Sequence, residues 1–497
     1  MSKDLDFNDV QGLLRFGYKH HTESAFALLR VRNHAAARAW LAAAPVGTAA
    51  KGPVPPTVLQ VALSAEGLRE LGVPAGIIAG FAPEFVAGLG TDPNRARRLG
   101  DVGNNDPARW QWGGPGAAQV PHVLVMVYAL PGQLDARLRD LDAHWGVAFE
   151  LMRWLPTTDM GGVEPFGFVD GLSQPEIDWT REIAAVDQDR LAYGNLACLG
   201  EFLLGYPNEY GRYTARPLLD AVGSAATQLP RAEDAPDRAD LGRNGSYLVL
   251  RTLRQDVPAF WRFLDGQAGG DAAERLRIAE AMVGRRIDGQ PLLPAARTPI
   301  AGVGAQAADR ERNGFTFDDD PAGLRCPVGA HIRRANPRNA DLPAGTQGLV
   351  ARAVRMLGFD SAALPADAVA SVRFHRVLRR GREYGQRLSP TQALTATPVV
   401  ETGLQFVCLC ADLARQFEFV QGAWIAGTKF AGLPHEGDPL LGNRLAAPDE
   451  PDTARFTMPR AGCPSRVVEG LPTFVDVVGG AYFFLPGVRA LRYLATT

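Results

Sequence analysis

The chain has 497 residues, 52 basic and 54 acidic side chains, and a formal net charge of −2. So even a balance excludes nucleic acid or an anionic membrane surface as the main partner, and the length exceeds what a single core usually fills, so two domains are expected. Five cysteines are too few for a disulfide framework and fit reduced thiols in a cytoplasm.

In chain order, residues 1–9 lack the basic start and apolar run of a secretory leader. No stretch of about 18 uncharged apolar residues follows anywhere, so no membrane span is expected. Residues 25–31 are apolar enough for a strand, and an Ala-rich helix follows over 34–44. Residues 56–63 form a second strand, with Ser64 set to cap the helix that starts after it. Residues 122–129 form a third strand and 134–145 a helix. This alternation suits a ferredoxin-like α+β unit with an antiparallel sheet.

A Gly/Pro-punctuated loop occupies 161–175, and an Ala/Asp/Pro/Arg-rich stretch over 217–243 reads as a crossing between domains. The pattern then repeats: strand 246–253, helix 257–264, a weakly periodic loop over 302–325, strands 374–378 and 404–410, and a helix over 412–421. Two similar units point to an internal duplication, with domains over 1–225 and 244–497. Cys408 and Cys410, two apart in an apolar strand, read as small core residues.

Two short elements carry chemistry. Residues 326–338, Cys-Pro-Val-Gly-Ala-His-Ile-Arg-Arg-Ala-Asn-Pro-Arg, set His331 among Arg333, Arg334 and Arg338. A neutral imidazole can bind iron, and guanidinium groups can hold a porphyrin's two propionates. A solvated His in a basic loop fits the same stretch. Far upstream, Gly167-Phe168-Val169-Asp170-Gly171 sits within the long loop. Asp-Gly is a common turn pair, yet such a loop can also hold a carboxylate over a cofactor.

Together these elements resemble the dye-decolourising (DyP-type) haem peroxidase family, in its larger members. Further matches are Asn8-Asp9-Val10-Gln11-Gly12 with Arg15, the segment 244–249, Leu378-Arg379-Arg380-Gly381 with Tyr384-Gly385, and Gly403-Leu404 with Phe406 and Asp412. His331 and Arg379 lie 48 positions apart (379 − 331), which places an insertion near 345–372 and leaves Arg379 and Arg380 as alternatives for one role.

The resemblance implies two ferredoxin-like domains with haem b bound non-covalently, mainly by the C-terminal one. It implies a peroxidase that uses hydrogen peroxide to oxidise aromatic donors such as dyes and phenols through a ferryl intermediate. Asp170 would be the acid/base and Arg379 the charge stabiliser. His331 would be the iron ligand, Arg338 a propionate partner, and Asp412 the carboxylate on the ligand's other ring nitrogen. An N-cap is the alternative for Asp412.

No Cys-x-x-Cys-His occurs, so covalent haem attachment is not expected. His375 is the rival ligand. His20, His21 and His435 are expected in solvent, while His34, His122 and His144 fall in the half that should not hold iron. Trp261, Trp424, Tyr247 and Tyr384 read first as core residues, with electron relays the alternative. The rival readings are a haem- or iron-handling protein with incidental peroxidase activity, and a ferredoxin-like protein that has lost haem.

Overall fold

All seven side chains of strand β3 (Val123–Ala129) are buried, because it lies inside a sheet covered on both faces. The structure, a computed structural model, describes residues 5–183, 193–221, 225–296, 300, 302–303, 311–340, 372–397, 401–444 and 453–496. Alternation sends Val123, Val125 and Val127 into one core and Leu124, Met126 and Tyr128 into the other. Strands β1 (Glu23–Val31), β2 (Thr57–Leu63) and β4 (Phe149–Pro156) complete this half in the order β2-β3-β1-β4, all antiparallel.

The first core is roofed by α1 (His34–Ala43) and α3 (Leu134–Trp145), whose Leu41, Leu141 and Trp145 are buried in it. Asn33 starts α1 by accepting the Ala36 N–H, and Ser64 starts α2 (Ala65–Glu70) by accepting the Gly67 N–H.

The second half uses β5 (Ser246–Gln255), α4 (Val257–Gln267), α5 (Ala272–Val283), β6 (Leu378–Arg379), β7 (Arg382–Tyr384), β8 (Gly403–Cys410) and β9 (Val475–Leu485). Its order is β6-β8-β5-β9, again antiparallel, with β7 also on β8. Counting β6 and β7 as one broken strand, both halves have the spatial order second, third, first, fourth. That is the expected pair of ferredoxin-like units in an α+β fold. The halves meet edge to edge where Phe484 of β9 pairs with Leu63 of β2.

Several elements differ from expectation. Residues 374–378 do not form a strand: Val372–Phe374 is one turn of 3-10 helix, and pairing starts only at Leu378. Here Arg373 reaches the buried Glu209 and His375 stacks on Phe419. The helix expected after Asp412 is a wide π-type helix over Leu413–Glu418 that continues through Val420–Ile425. The crossing region contains an antiparallel pair, Leu218–Asp220 with Arg238–Asp240. Strand β9 was unexpected, since Gly479-Gly480 interrupts its apolar run. Any side chain at Gly479 would collide with the Trp112 indole. Of the expected insertion, residues 345–371 lie outside the described residues. Among the described residues no helix is long and apolar enough to cross a membrane.

Candidate active site

A cavity of about 320 Å³ lies between the loop carrying Asp170 and the second half of the sheet. His331, Asp170, Arg379 and Arg338 all line it. The sequence-predicted residues therefore converge, although 209 positions separate Asp170 from Arg379.

His331 is the first residue of the short helix α6 (His331–Ala335). Its Nδ1 lies 2.9 Å from Asp438 Oδ2. The other Asp438 oxygen accepts the N–H groups of Leu440 and Leu441, each at 2.9 Å. The Asp438 side chain has no solvent exposure. Burial alone would raise its carboxyl, but the facing His331 ring and Arg334 outweigh that and hold it below the usual range. Burial also works against a charged His331, yet Asp438 prevails and the imidazole is raised. With Nδ1 engaged, Nε2 has no hydrogen-bond partner among the described residues, and the side chain is 26% exposed, into the cavity.

Asp412, expected to hold the ligand's ring, does not do so. It is the N-cap of the wide helix, its Oδ1 accepting the Arg415 N–H at 2.9 Å. A carboxylate in that geometry is turned back over its own first turn. The partner is Asp438, in the loop Gly437-Asp438-Pro439.

The arginines around His331 also separate into two kinds. Arg334 is fully buried and donates to four backbone carbonyls, those of Gly329, Trp424, Gly427 and Glu436. Arg333 donates to the carbonyls of Cys326 and Asp320 over the Phe317 ring. Both bolt the loop rather than face the cavity. Arg338 does line the cavity, donating to the carbonyls of Asn313 and Phe315 and stacking 3.8 Å from the Phe315 centroid. Arg285 and Arg376 line it too, and they likewise donate to backbone carbonyls. Among the described residues none of these three has a carboxylate partner. This is a basic wall with charge to spare.

Across the cavity, Arg379 Nη1 donates to Asp170 Oδ1 at 3.2 Å, with both side chains a little over a third exposed, into the cavity. Its Nη2 donates to the Ser173 carbonyl, and its backbone N–H to the Gln174 side chain. Arg380 turns the other way and donates to the carbonyls of Leu13 and Leu14. The strand register thus gives the cavity Arg379 and not its neighbour. Burial would raise Asp170; Arg379 and the Gly171 N–H override it and hold the carboxyl below its usual range. Gly167 and Gly171 adopt φ of +100° and +71°, which lets the loop turn on both sides of the carboxylate.

Sequence reading missed Glu164. Its Oε2 accepts the Phe166 N–H and the Gln255 side chain at 3.0 Å each, and its Oε1 accepts the Phe168 N–H at 3.1 Å. Burial pushes this carboxyl up to about 7. It lines the same cavity as Asp170.

The rival His375 also borders the cavity, but it is only 2% exposed, its Nδ1 meets the Arg415 carbonyl and its ring lies flat on Phe419. His21, expected in solvent, is buried with Nε2 against the Pro55 carbonyl. Trp261 and Tyr247 are wholly buried core residues, and Trp424 and Tyr384 nearly so.

Among the described residues the cavity offers an imidazole nitrogen without a partner, apolar walls that include Phe406, Ile425 and Leu440, and three arginines, Arg285, Arg338 and Arg376, without a carboxylate. That donor set fits a flat apolar macrocycle with a central metal and peripheral carboxylates.

No family model matches the chain. It is 28% identical over 458 residues to a multifunctional dye peroxidase of Amycolatopsis sp., covering 88% of this chain and 82% of that one. It is 26% identical to a dye-decolorizing peroxidase of Mycetinis scorodonius, covering 99% and 88%. The crystal structure of a fungal DyP-type peroxidase from Auricularia auricula-judae superposes with a TM-score of 0.70 at 23% identity over all of both chains. A DyP-type peroxidase from Anabaena sp. superposes at 0.67 with 23% identity over 98% and 94%. The curated relatives it matches are peroxidases by name, and the solved structures share its fold. Along its length the chain is similar in sequence and in fold to dye-decolourising peroxidases.

Proposed function

We propose that this cavity binds haem b non-covalently and uses it to reduce hydrogen peroxide at the expense of aromatic donors such as dyes and phenols. The enzyme is a peroxide-dependent oxidoreductase. One peroxide and two donors give two waters and two one-electron-oxidised donors. The observation that carries the reading is that the Asp170–Arg379 pair and His331, its ring held from behind by Asp438, line one cavity.

When bound, the haem supplies the iron at which the O–O bond breaks. His331 would hold that iron through Nε2, with Asp438 fixing the ring and raising its donor strength. Arg338 would meet a propionate, helped by Arg285 or Arg376. Asp170, kept ionised by Arg379, can take a proton from the near peroxide oxygen and return it to the far one. Arg379 stays charged throughout and opposes the negative charge that develops as the bond breaks. A simple haem carrier needs neither of these groups. Non-covalent binding is supported by the walls, since no cysteine is among the cavity-lining residues. No disulfide joins the five cysteines among the described residues, and Cys463 is exposed, which supports a reducing compartment such as the cytoplasm.

The test is a haem reconstitution followed by peroxide. Wild type should give a Soret band and a fast peroxide-dependent spectral change. His331→Ala should fold yet retain little haem, and Asp170→Asn should keep haem and react about 10²–10⁴-fold more slowly. Full haem occupancy with an unaltered spectrum in His331→Ala would remove the ligand assignment.

A further inference from the structure

The loop that carries Asp170 belongs by sequence to the first half, but the second half holds it in place. Thr158 N–H donates to the Glu383 carbonyl, and Arg387 donates to the Met160 carbonyl. Trp261 donates to the Phe166 carbonyl and Val169 N–H to the Ile287 carbonyl. Within the loop, the Glu164 N–H donates to the Phe168 carbonyl at 2.8 Å, and the Phe168 N–H returns to the Glu164 carboxyl at 3.1 Å. Asp170 N–H closes the outer ring on the Gly162 carbonyl at 3.1 Å. At the centre of these rings sits the Glu164 carboxyl, taking three N–H donors, one of them from Gln255 at the end of β5.

Gln255 is itself fixed, its backbone N–H donating to the Thr402 carbonyl next to β8. We propose that Glu164 is a positioning residue for the peroxide step, anchoring the loop to β5 through Gln255 and so setting Asp170 against Arg379. This rests on the acid/base reading of Asp170 given above.

Only a Glu meets the geometry. Three donors converge on its two oxygens, so a Gln would turn an N–H₂ toward one or more of them. Asp is one methylene too short to span from the chain to Gln255 while still reaching Phe166 and Phe168. Keeping a carboxylate here is costly, because burial and the nearby Asp170 both oppose its charge. A loop that needed only closing could use a neutral side chain. The cost is understandable where the reward is placement of a reacting group, since an error of about 1 Å there can lower a rate about 10²-fold.

The experiment is a double-mutant cycle on haem-loaded protein, with peroxide reactivity followed by stopped-flow in the Soret band at matched haem content. Glu164→Gln should slow the peroxide step about 10²-fold while the KM for an aromatic donor stays within about twofold. In the Asp170→Asn background the same substitution should cost less than about threefold, because the group it positions is already disabled. Gln255→Leu, which leaves the loop's own hydrogen bonds intact, should slow the step in the same direction. It also carries the test if Glu164→Gln folds poorly.

Wild-type rates in both Glu164→Gln and Gln255→Leu, with Asp170→Asn slow, overturn the positioning role alone. An equal loss from Glu164→Gln in both backgrounds overturns it too, since the effect would then bypass Asp170. Wild-type speed in Asp170→Asn overturns the acid/base reading and this inference with it.

Discussion

Replacing Asp438 by Asn tests the proximal side of the site at the point where structure corrects sequence. The carboxylate has three partners: the His331 ring at 2.9 Å and two backbone N–H groups at 2.9 Å each. Asn keeps one carbonyl oxygen, which can serve the backbone pair, but places an amide N–H₂ against His331 Nδ1. The ring then loses a charge-assisted hydrogen bond, worth about 1.5–3 kcal/mol. An independent route gives a similar size: removing such a partner typically weakens metal affinity about 10–100-fold, or about 1.4–2.7 kcal/mol. Titrating apo-protein with haem should therefore show affinity lower by that factor, with a shifted Soret band. Asp412→Ala is the control, expected to leave haem affinity unchanged while lowering stability by about 1 kcal/mol through loss of a helix N-cap. Weakened haem binding in Asp412→Ala with normal binding in Asp438→Asn would refute the assignment.

Arg379→Leu should slow the peroxide step on the order of 10²–10³-fold, whereas Arg380→Leu, whose guanidinium serves the Leu13 and Leu14 carbonyls, should alter thermal stability and leave the rate near wild type. The acid limb of the peroxide rate should also move. In the wild type Arg379 holds the Asp170 carboxyl below its ordinary value, so Asp170 stays ionised as pH falls and its contribution is lost only below that value. In Arg379→Leu burial is opposed only by the Gly171 N–H and the His331 ring, and the limb should move to higher pH, read from kcat/KM against pH. Arg338→Leu should weaken haem binding about 10–100-fold by losing a charge-assisted contact, measured by haem titration against Arg333→Leu, which should lose stability through the Cys326 and Asp320 carbonyls and not through a ligand contact.

Where side-chain alternation was strong, the sequence disclosed the elements closely. The strands at Thr57–Leu63 and Val123–Ala129 and the helix Leu134–Trp145 lie within a residue of expectation. His331 and Asp170, which line the cavity, were named from distinctive local motifs, whereas Arg379 was named with Arg380 as the alternative and only the strand register separates them. Asp438 was not legible, since nothing local marks an acid in a Gly/Pro loop as the partner of a ring 107 positions away. Glu164 was missed for a different reason. Two of its three partners are backbone N–H groups, which every sequence possesses and no sequence advertises. Arg333 and Arg334, which the sequence sets beside His331, serve mainly backbone carbonyls, Arg333 also meeting the Asp320 carboxylate at 3.5 Å. In a tight buried loop the surplus acceptors are carbonyls, and a five-donor fork satisfies several at once.

That accounting bears on how a duplicated fold acquired one site. Each half repeats the same strand order, yet they contribute unlike parts: the second half supplies His331, Asp438, Arg338 and Arg379, and the first supplies Asp170 and Glu164. The sheet edges pair at Phe484 and Leu63, neither of which lines the cavity, so other contacts must set distances across it. The polar contacts of the 158–174 segment do that, because its carbonyls and carboxylates are bonded to Arg387, Trp261, Gln255 and Arg379 of the second half. A proton-transferring carboxylate must stand within hydrogen-bond reach of the atom it serves, and a loop held only by its own half would leave that distance to the joint between the halves. Anchoring the loop to the strands that also carry Arg379 removes the joint from the problem.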